Sequence, residues 1–111
     1  RVRQVKTYVT FSGIVGAEWV DLEATPRRAC YLDRLVVDRP DGFEVAKLRA
    51  GEILVQFEPP VPASAFAPTV RDGVELPRVL LSANVTVQLR VRRRVDGVGR
   101  FGGRLHVDVV R

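Results

Sequence analysis

Apolar and polar residues alternate along most of this chain with a period of two, the pattern of half-buried β-strands. In residues 3–12, Val5, Thr7, Val9 and Phe11 fall in one phase. Further strands are predicted in residues 18–24, 29–37, 43–48, 52–57, 74–76 and 78–81, and two more in residues 85–111. No segment keeps the 3.6-residue period of an amphipathic helix over three turns, so the pattern predicts an all-β protein.

Residues 29–37 form the strongest predicted strand, because apolar side chains occupy both of its phases. The two phases hold Cys30, Leu32 and Val36 on one side and Tyr31, Leu35 and Val37 on the other. Such a strand is expected in the middle of a sheet or beneath a neighbouring segment. Cys30 is the single cysteine of the chain, which excludes an internal disulfide and predicts a buried thiol.

Proline and glycine mark the connections between these strands. Residues 38–42 predict a tight turn, since Pro40 presets φ and Gly42 accepts a positive φ. Residues 59–68 contain four prolines, which exclude a central strand or a helix there. We expect this segment to cross from one sheet to another, with Phe66 pinning it to the core.

Short strands at intervals of about 8–12 residues, separated by such turns, indicate an antiparallel β-sandwich or barrel. The chain has 111 residues, which fit one domain covering residues 1–111. The Cys…Trp…Cys spacing of immunoglobulin domains is missing from the sequence. The fold that we favour is therefore a jelly-roll-like sandwich of about eight short strands.

The net charge of +5 arises at the C-terminal end of the sequence. Residues 1–89 hold 11 basic and 11 acidic side chains, whereas residues 90–111 hold 7 basic and 2 acidic ones. Of the basic residues 16 are Arg and 2 are Lys, and the planar guanidinium suits bidentate contacts at interfaces. No apolar run approaches the ~20 residues that span a bilayer, so no membrane partner is expected.

The two strands in residues 85–111 are predicted to pair with each other as a hairpin. In the register that puts apolar residues on one face, Val91 pairs with Val107 and Leu89 with Val109. The opposite face then pairs Arg92 with His106 and Arg90 with Asp108.

No residue pattern in the chain indicates a catalytic, cofactor or metal site. The glycine spacing from Gly97 to Gly102 matches dinucleotide-binding loops, but a strand follows it rather than a helix, so it is interpreted as a hairpin tip. His106 and Asp108 lack the companion ligands that a zinc site needs. The spacing of Asp38, Asp41 and Glu44 does not fit a calcium loop. We expect no enzyme activity, no cofactor and no small-molecule substrate.

Arg90, Arg92 and Arg94 alternate along a predicted strand, so they project from one face about 6.7 Å apart. One interpretation is a solvated face that resists edge-to-edge aggregation. Another is a contact surface for an acidic neighbour, including a second copy of the chain through Glu18, Asp21 and Glu23. The remaining one is nucleic-acid binding, for which Phe101 is the aromatic residue nearby.

Several stretches together resemble the small single-sandwich structural proteins of virus and bacteriophage particles, such as minor capsid and decoration subunits. The stretches are Leu35-Val-Val, Phe43-x-Val, Leu48-x-x-Gly51, Gln56-Phe57, Val61-Pro-Ala-Ser-Ala-Phe66 and Val85-Thr-Val-x-Leu89. They cover about half of the chain through strand pattern alone. The resemblance implies a non-enzymatic protomer of a symmetric oligomer located in the virion.

The sequence thus predicts a structural or assembly protein that forms a homo-oligomer and packs against other capsid subunits. The residues expected at its contacts are Arg90, Arg92, Arg94, Arg100 and Phe66. The alternative is a nucleic-acid-binding β-barrel that uses the arginine-rich C-terminal strands. A carbohydrate-binding domain, with Trp19, Tyr8 and Tyr31 as candidate aromatic residues, is the third hypothesis.

Overall fold

The computed structural model of this protein describes residues 4–70, 74 and 76–110. This part of the chain forms eight strands and one turn of 3-10 helix, in agreement with the all-β prediction. The strands are β1 (Gln4–Val15), β2 (Val20–Ala24), β3 (Cys30–Val37), β4 (Phe43–Ala50), β5 (Ile53–Pro62), β6 (Leu80–Leu81), β7 (Val87–Arg93) and β8 (Gly99–Val110), and the 3-10 turn is Ala63–Phe66. None of the described residues forms a helix of the length and apolarity that a membrane crossing requires.

The strands form two antiparallel sheets of four strands each within the described residues. Sheet 1 has the order β1-β8-β3-β6, and sheet 2 has the order β2-β7-β4-β5. The inner faces of both sheets contribute to one hydrophobic cluster. Phe43 of sheet 2 meets Phe101 of sheet 1 edge to face, with the ring centroids 5.4 Å apart. The arrangement is therefore sandwich-like.

The predicted C-terminal hairpin is wrong, because β7 lies in sheet 2 and β8 lies in sheet 1. β7 pairs with β2 and β4, and β8 pairs with β1 and β3. The pairs that the sequence predicted, Val91 with Val107, Leu89 with Val109, Arg92 with His106 and Arg90 with Asp108, do not form. Alternation identified the inward side chains of both strands correctly, but two strands that cover one core from opposite sides show the same alternation as two strands side by side.

A bulge explains why apolar residues occupy both phases of β3. The register between β3 and β8 shifts between Leu32 and Arg34. Cys30 and Leu32 face the core before the shift, and Leu35 and Val37 face it afterwards. One extra residue reverses the phase, because successive side chains point to opposite faces of a strand. β3 lies between β8 and β6, so the prediction of an internal strand is confirmed.

The proline-rich segment divides between an edge strand and a crossing connection. β5 extends to Pro62 at the edge of sheet 2, where a missing N–H breaks no ladder. The chain then passes through the 3-10 turn and reaches β6 in sheet 1, as predicted. Phe66 is 2% exposed and packs against Phe57, so it anchors this crossing to the core. Val74 and Leu76, predicted to lie in a strand, have no strand pairing, and Glu75 lies outside the described residues.

The connection from β7 to β8, residues 94–98, crosses between the sheets at one end of the molecule; we call it the tip. Two backbone hydrogen bonds hold its start: Arg93 N–H, at the end of β7, donates to Gly16 O at 2.8 Å, and Arg94 N–H donates to Gly42 O at 2.6 Å. Gly42 has φ +83° and ends the predicted 38–42 turn, and a Cβ added there would lie 3.0 Å from Val95 Cγ2. The tip therefore packs on the turn after β3 and the turn after β1.

Candidate interaction surface

The three arginines singled out by the sequence lie on the outer face of sheet 2. Arg90 and Arg92 alternate with the buried Leu89 and Val91 on β7, and Arg94 follows the end of the strand. Their side chains are about two-fifths to three-fifths exposed. We call Arg90, Arg92 and Arg94 the arginine ridge.

Carboxylates on the two neighbouring strands pair with the guanidinium groups of the arginine ridge. Asp21 on β2 is the register partner of Arg90, and one carboxylate oxygen lies 4.0 Å from the guanidinium Nε. Glu44 on β4 is the register partner of Arg92 and accepts a hydrogen bond from its Nε. The second oxygen of Glu44 lies 3.7 Å from Arg94 Nε. Asp21, expected to pair with a second copy, thus faces an arginine of its own chain.

Glu44 is the residue of this surface that the sequence interpretation missed. It is 5% exposed although it is charged, and two arginines surround it. A buried carboxylate is retained only when hydrogen bonds and opposite charge replace its water. The sequence signal was present in the alternation of β4, but the partner strand had to be known before Glu44 could be placed beside Arg92.

The indole ring of Trp19 packs beside the arginine ridge. The Arg92 guanidinium carbon lies 4.4 Å from the centroid of the indole ring, within the range of cation–π attraction. The Arg92 guanidinium is therefore held by both Glu44 and Trp19, whereas the Arg94 guanidinium has the longer contact to Glu44.

A depression of about 340 Å³ lies beside the ridge on the same face. Its lining includes Trp19, Lys47, Gln56, Glu58 and Arg90. Lys47 and Arg90 are register partners on β4 and β7, so two cations stand directly opposite each other. Ala46, which lies where the register between β4 and β5 shifts, also belongs to the lining. Like charges in direct opposition destabilise a sheet unless an anion lies between them.

Arg100 and Phe66 are separated from the ridge. Arg100 is exposed on the outer face of sheet 1, where its register partner is Ile14 on β1. It cannot join Arg90, Arg92 and Arg94 because β8 belongs to the opposite sheet. Phe66 is buried, so its side chain stabilises the fold and is not available to a partner.

His106 and Asp108 lie on the outer face of sheet 1 with partners that the sequence did not predict. The imidazole lies 5.8 Å from the Tyr8 ring, centroid to centroid. Burial, together with the positive charges of Arg104 and Arg34, lowers the pKa of His106 below its usual 6.5. The His106 imidazole is therefore neutral at pH 7. Asp108 is 5% exposed, and its Oδ2 accepts a hydrogen bond from Arg78 at 2.7 Å.

Ligands for a metal ion do not come together in the part of the chain that the structure describes: no group of three or more His, Cys, Asp or Glu side chains is found there. Asp38 accepts a hydrogen bond from Arg104 at 2.9 Å, and Glu44 is turned toward the ridge. Cys30 is fully buried, and burial raises the pKa of its thiol, so the sulfur stays protonated and unreactive.

Comparison with known protein families, with curated proteins and with solved structures finds no significant match to this chain.

Proposed function

We propose that this protein is a jelly-roll structural subunit that packs with copies of itself in a symmetric oligomer and with other subunits of a virus or phage particle. The nesting of its strand pairs supports the fold. β1 pairs with β8, β2 with β7, β3 with β6 and β4 with β5, and successive pairs alternate between the two sheets. This pairing is the one expected when a long hairpin winds into two sheets, as in the eight-stranded jelly rolls that viral capsid proteins use among others.

The observation that carries the assembly function is the exposed apolar surface at the tip. Val98 is 70% exposed, Ile14 60% and Val95 48%. Val98 covers Gly16, two residues beyond Ile14, and Val95 packs on Gly42, so these side chains belong to one end of the molecule. Grouped apolar side chains at a surface mark a place where another protein packs. The nearby Arg94 and Arg100 supply a polar rim, as is usual around the apolar centre of an interface.

The native mass of the purified chain tests this function. We expect light scattering and sedimentation to give the mass of an oligomer with a whole number of copies at micromolar concentration. Val98→Asp places a charge in the apolar patch and should lower the mass of the assembly. The matched control is Leu80→Asp, an exposed leucine on β6 at the opposite end of the molecule, which should leave the mass unchanged. A wild-type chain that stays monomeric at high micromolar concentration contradicts the assembly function.

Binding of single-stranded nucleic acid is a second candidate, favoured by the depression beside Trp19. Its cross-strand pair of Lys47 and Arg90 would hold a phosphate, and the indole lies where a base could stack. Affinity for a (dT)12 oligonucleotide should then fall steeply between 50 and 200 mM salt, about tenfold or more for a few phosphate contacts. Lys47→Gln should weaken binding, whereas Lys6→Gln, which removes the same charge from sheet 1, should have little effect. No binding at the lower salt excludes this candidate.

A further inference from the structure

The sheet edges differ in their protection against pairing with another chain. In the described structure, sheet 1 ends at β1 and β6, and sheet 2 ends at β2 and β5. β6 has 2 residues and β2 has 5, so neither offers a long ladder. β5 has 10 residues, but Pro59, Pro60 and Pro62 lack the N–H that a new neighbour would bond, and Glu58 adds a charge. Short strands, prolines and charges are the usual protections of an edge.

β1 is the least protected of these edges. It runs for 12 residues without a proline, and Lys6 is its one charged residue. Eight of the 12 residues are β-branched or aromatic: Val5, Thr7, Tyr8, Val9, Thr10, Phe11, Ile14 and Val15. Its register with β8 continues without a bulge from Gln4 to Val15. Among the described strands β8 alone pairs with it, so its other side presents a long row of unpaired backbone N–H and C=O groups.

We propose that β1 pairs with β1 of a second copy of this chain, antiparallel about a twofold axis, and joins two copies of sheet 1 into one continuous eight-stranded sheet. The inference rests on the proposed assembly function and names the partner and the surface. A twofold axis brings identical edges together, so each strand satisfies the free backbone groups of the other. The added neighbour also continues the antiparallel order of sheet 1.

The charge on β1 decides between the two directions of pairing. In a parallel pair in register, Lys6 would lie beside Lys6 of the second copy, which destabilises a sheet. In an antiparallel pair centred on Thr10, Lys6 lies opposite Ile14 of the second copy. The two lysines are then roughly 27 Å apart along the ladder, eight residues at 3.4 Å each. The antiparallel dimer therefore avoids the repulsion.

The same register matches side chains on both faces of the extended sheet. On the outer face, Thr10 meets Thr10, and Tyr8 meets Ser12 of the second copy. On the inner face, Val5 lies opposite Val15, which covers a valine that is partly exposed in the single chain. Thr–Thr and apolar cross-strand pairs are among the favourable ones. The edge is thus self-complementary as well as unprotected.

A charge-swap experiment at the twofold axis tests the proposal in the 111-residue chain carrying Val98→Asp, which removes the tip contact. This background protein should sediment as a dimer. Thr10→Lys places two lysines opposite each other at the axis and should raise the dimer Kd roughly tenfold, the combined effect of one lost favourable and one gained unfavourable pair. Thr10→Glu should do the same. An equimolar mixture of the Lys and Glu variants should form the dimer again.

Thr69→Lys is the matched control, because it adds the same charge at an exposed threonine outside β1 and should leave the Kd unchanged. Cooperative thermal unfolding of both variants, with equal midpoints at concentrations below both dimer Kd values, establishes that Thr10→Lys and Thr69→Lys fold. In the dimer, amide hydrogen exchange in residues 4–15 should slow as concentration rises. If the wild type oligomerises but Thr10→Lys and Thr69→Lys dissociate alike, or if the mixture does not recover, the β1 interface is wrong and the assembly function stands. A monomeric wild type overturns both.

Discussion

Glu44 and Asp108 are equally buried, at 5% exposure each, but the two sheets neutralise them in different ways. Glu44, on sheet 2, receives Arg92 from the adjacent strand and Arg94 from just beyond its end. Asp108, on sheet 1, has Lys6 and Tyr31 beside it in the ladder, but its 2.7 Å ion pair is with Arg78, in the segment that leads into β6. The arginines that pair with Glu44 come from the neighbouring strand and its end. The arginine that pairs with Asp108 comes from a connection that lies against the sheet.

The difference also extends to how completely each carboxylate is satisfied. Both oxygens of Glu44 have an arginine within 4 Å. Oδ1 of Asp108 has no hydrogen-bond partner among the described residues, while Oδ2 accepts from Arg78. The Arg78 guanidinium also lies 5.1 Å from the centre of the Tyr31 ring. Removing an arginine beside a buried carboxylate leaves an uncompensated charge in the fold. Arginine substitutions should therefore show which of the two carboxylates contributes more to stability through its ion pairs.

The largest effect is expected from removing both arginines around Glu44. Arg92→Ala with Arg94→Ala leaves a buried carboxylate without opposite charge, and the free energy of unfolding should fall by about 3–5 kcal/mol. Urea denaturation followed by circular dichroism measures the change. Arg94→Ala alone should cost less than about 1 kcal/mol, since its contact is long and exposed. A double variant as stable as the wild type would mean that Glu44 does not depend on the ridge.

A smaller loss is expected at the other carboxylate. Arg78→Ala removes the ion pair of Asp108 and should lower the free energy of unfolding by about 1–3 kcal/mol. Adding Asp108→Asn should recover part of the loss, because a neutral amide is less costly to bury unpaired than a carboxylate. The control Arg27→Ala changes an exposed loop arginine and should have no effect. A greater loss in Arg78→Ala than in the ridge double variant would reverse the comparison between the sheets.

Sheet 1 also carries the single histidine of the chain, and its titration should make the stability of the fold depend on pH. The pKa of His106 is lowered in the folded protein, and the unfolded chain therefore binds more protons as pH falls through about 6.5. The stability that the neutral imidazole contributes is present above that pH and is lost below it. Unfolding of the wild type and of His106→Gln, measured from pH 7.5 to 5, should show the wild type losing more stability. Parallel curves would contradict the lowered pKa.

The smallest effect is expected for Arg90. Its contact with Asp21 is 4.0 Å long, and both side chains are about two-fifths exposed. Exposed pairs of this kind contribute less than about 1 kcal/mol. Arg90→Ala should therefore unfold close to the wild-type urea midpoint, in contrast to the ridge double variant. A loss of about 3 kcal/mol or more would show that the ridge acts as one network rather than as a strong pair beside a weak one.

The sequence was sufficient for the inward residues but not for the neighbours of each strand. Alternation placed Leu89 and Val91 in the core correctly, because the period of a strand is a local property. Alternation could not assign β7 and β8 to different sheets, since a short connection can join two neighbouring strands of one sheet or two strands of facing sheets. Glu44 and Arg78 were missed for the same reason. Their partners lie 48 and 30 residues away along the chain, at distances set by the winding of the whole fold.

The nested pairing of the strands has a consequence for the order in which the protein can form. β8 lies between β1 and β3 in sheet 1, so β1 has no place in that sheet until β8 arrives. During synthesis β1 is made first among the described strands and must wait for the last of them. Pairing of β1 with β8, from Gln4 with Val110 to Val15 with Gly99, then joins the two ends of the described chain. Such non-local closure is slow, and until it occurs both edges of β1 lack a neighbouring strand in sheet 1.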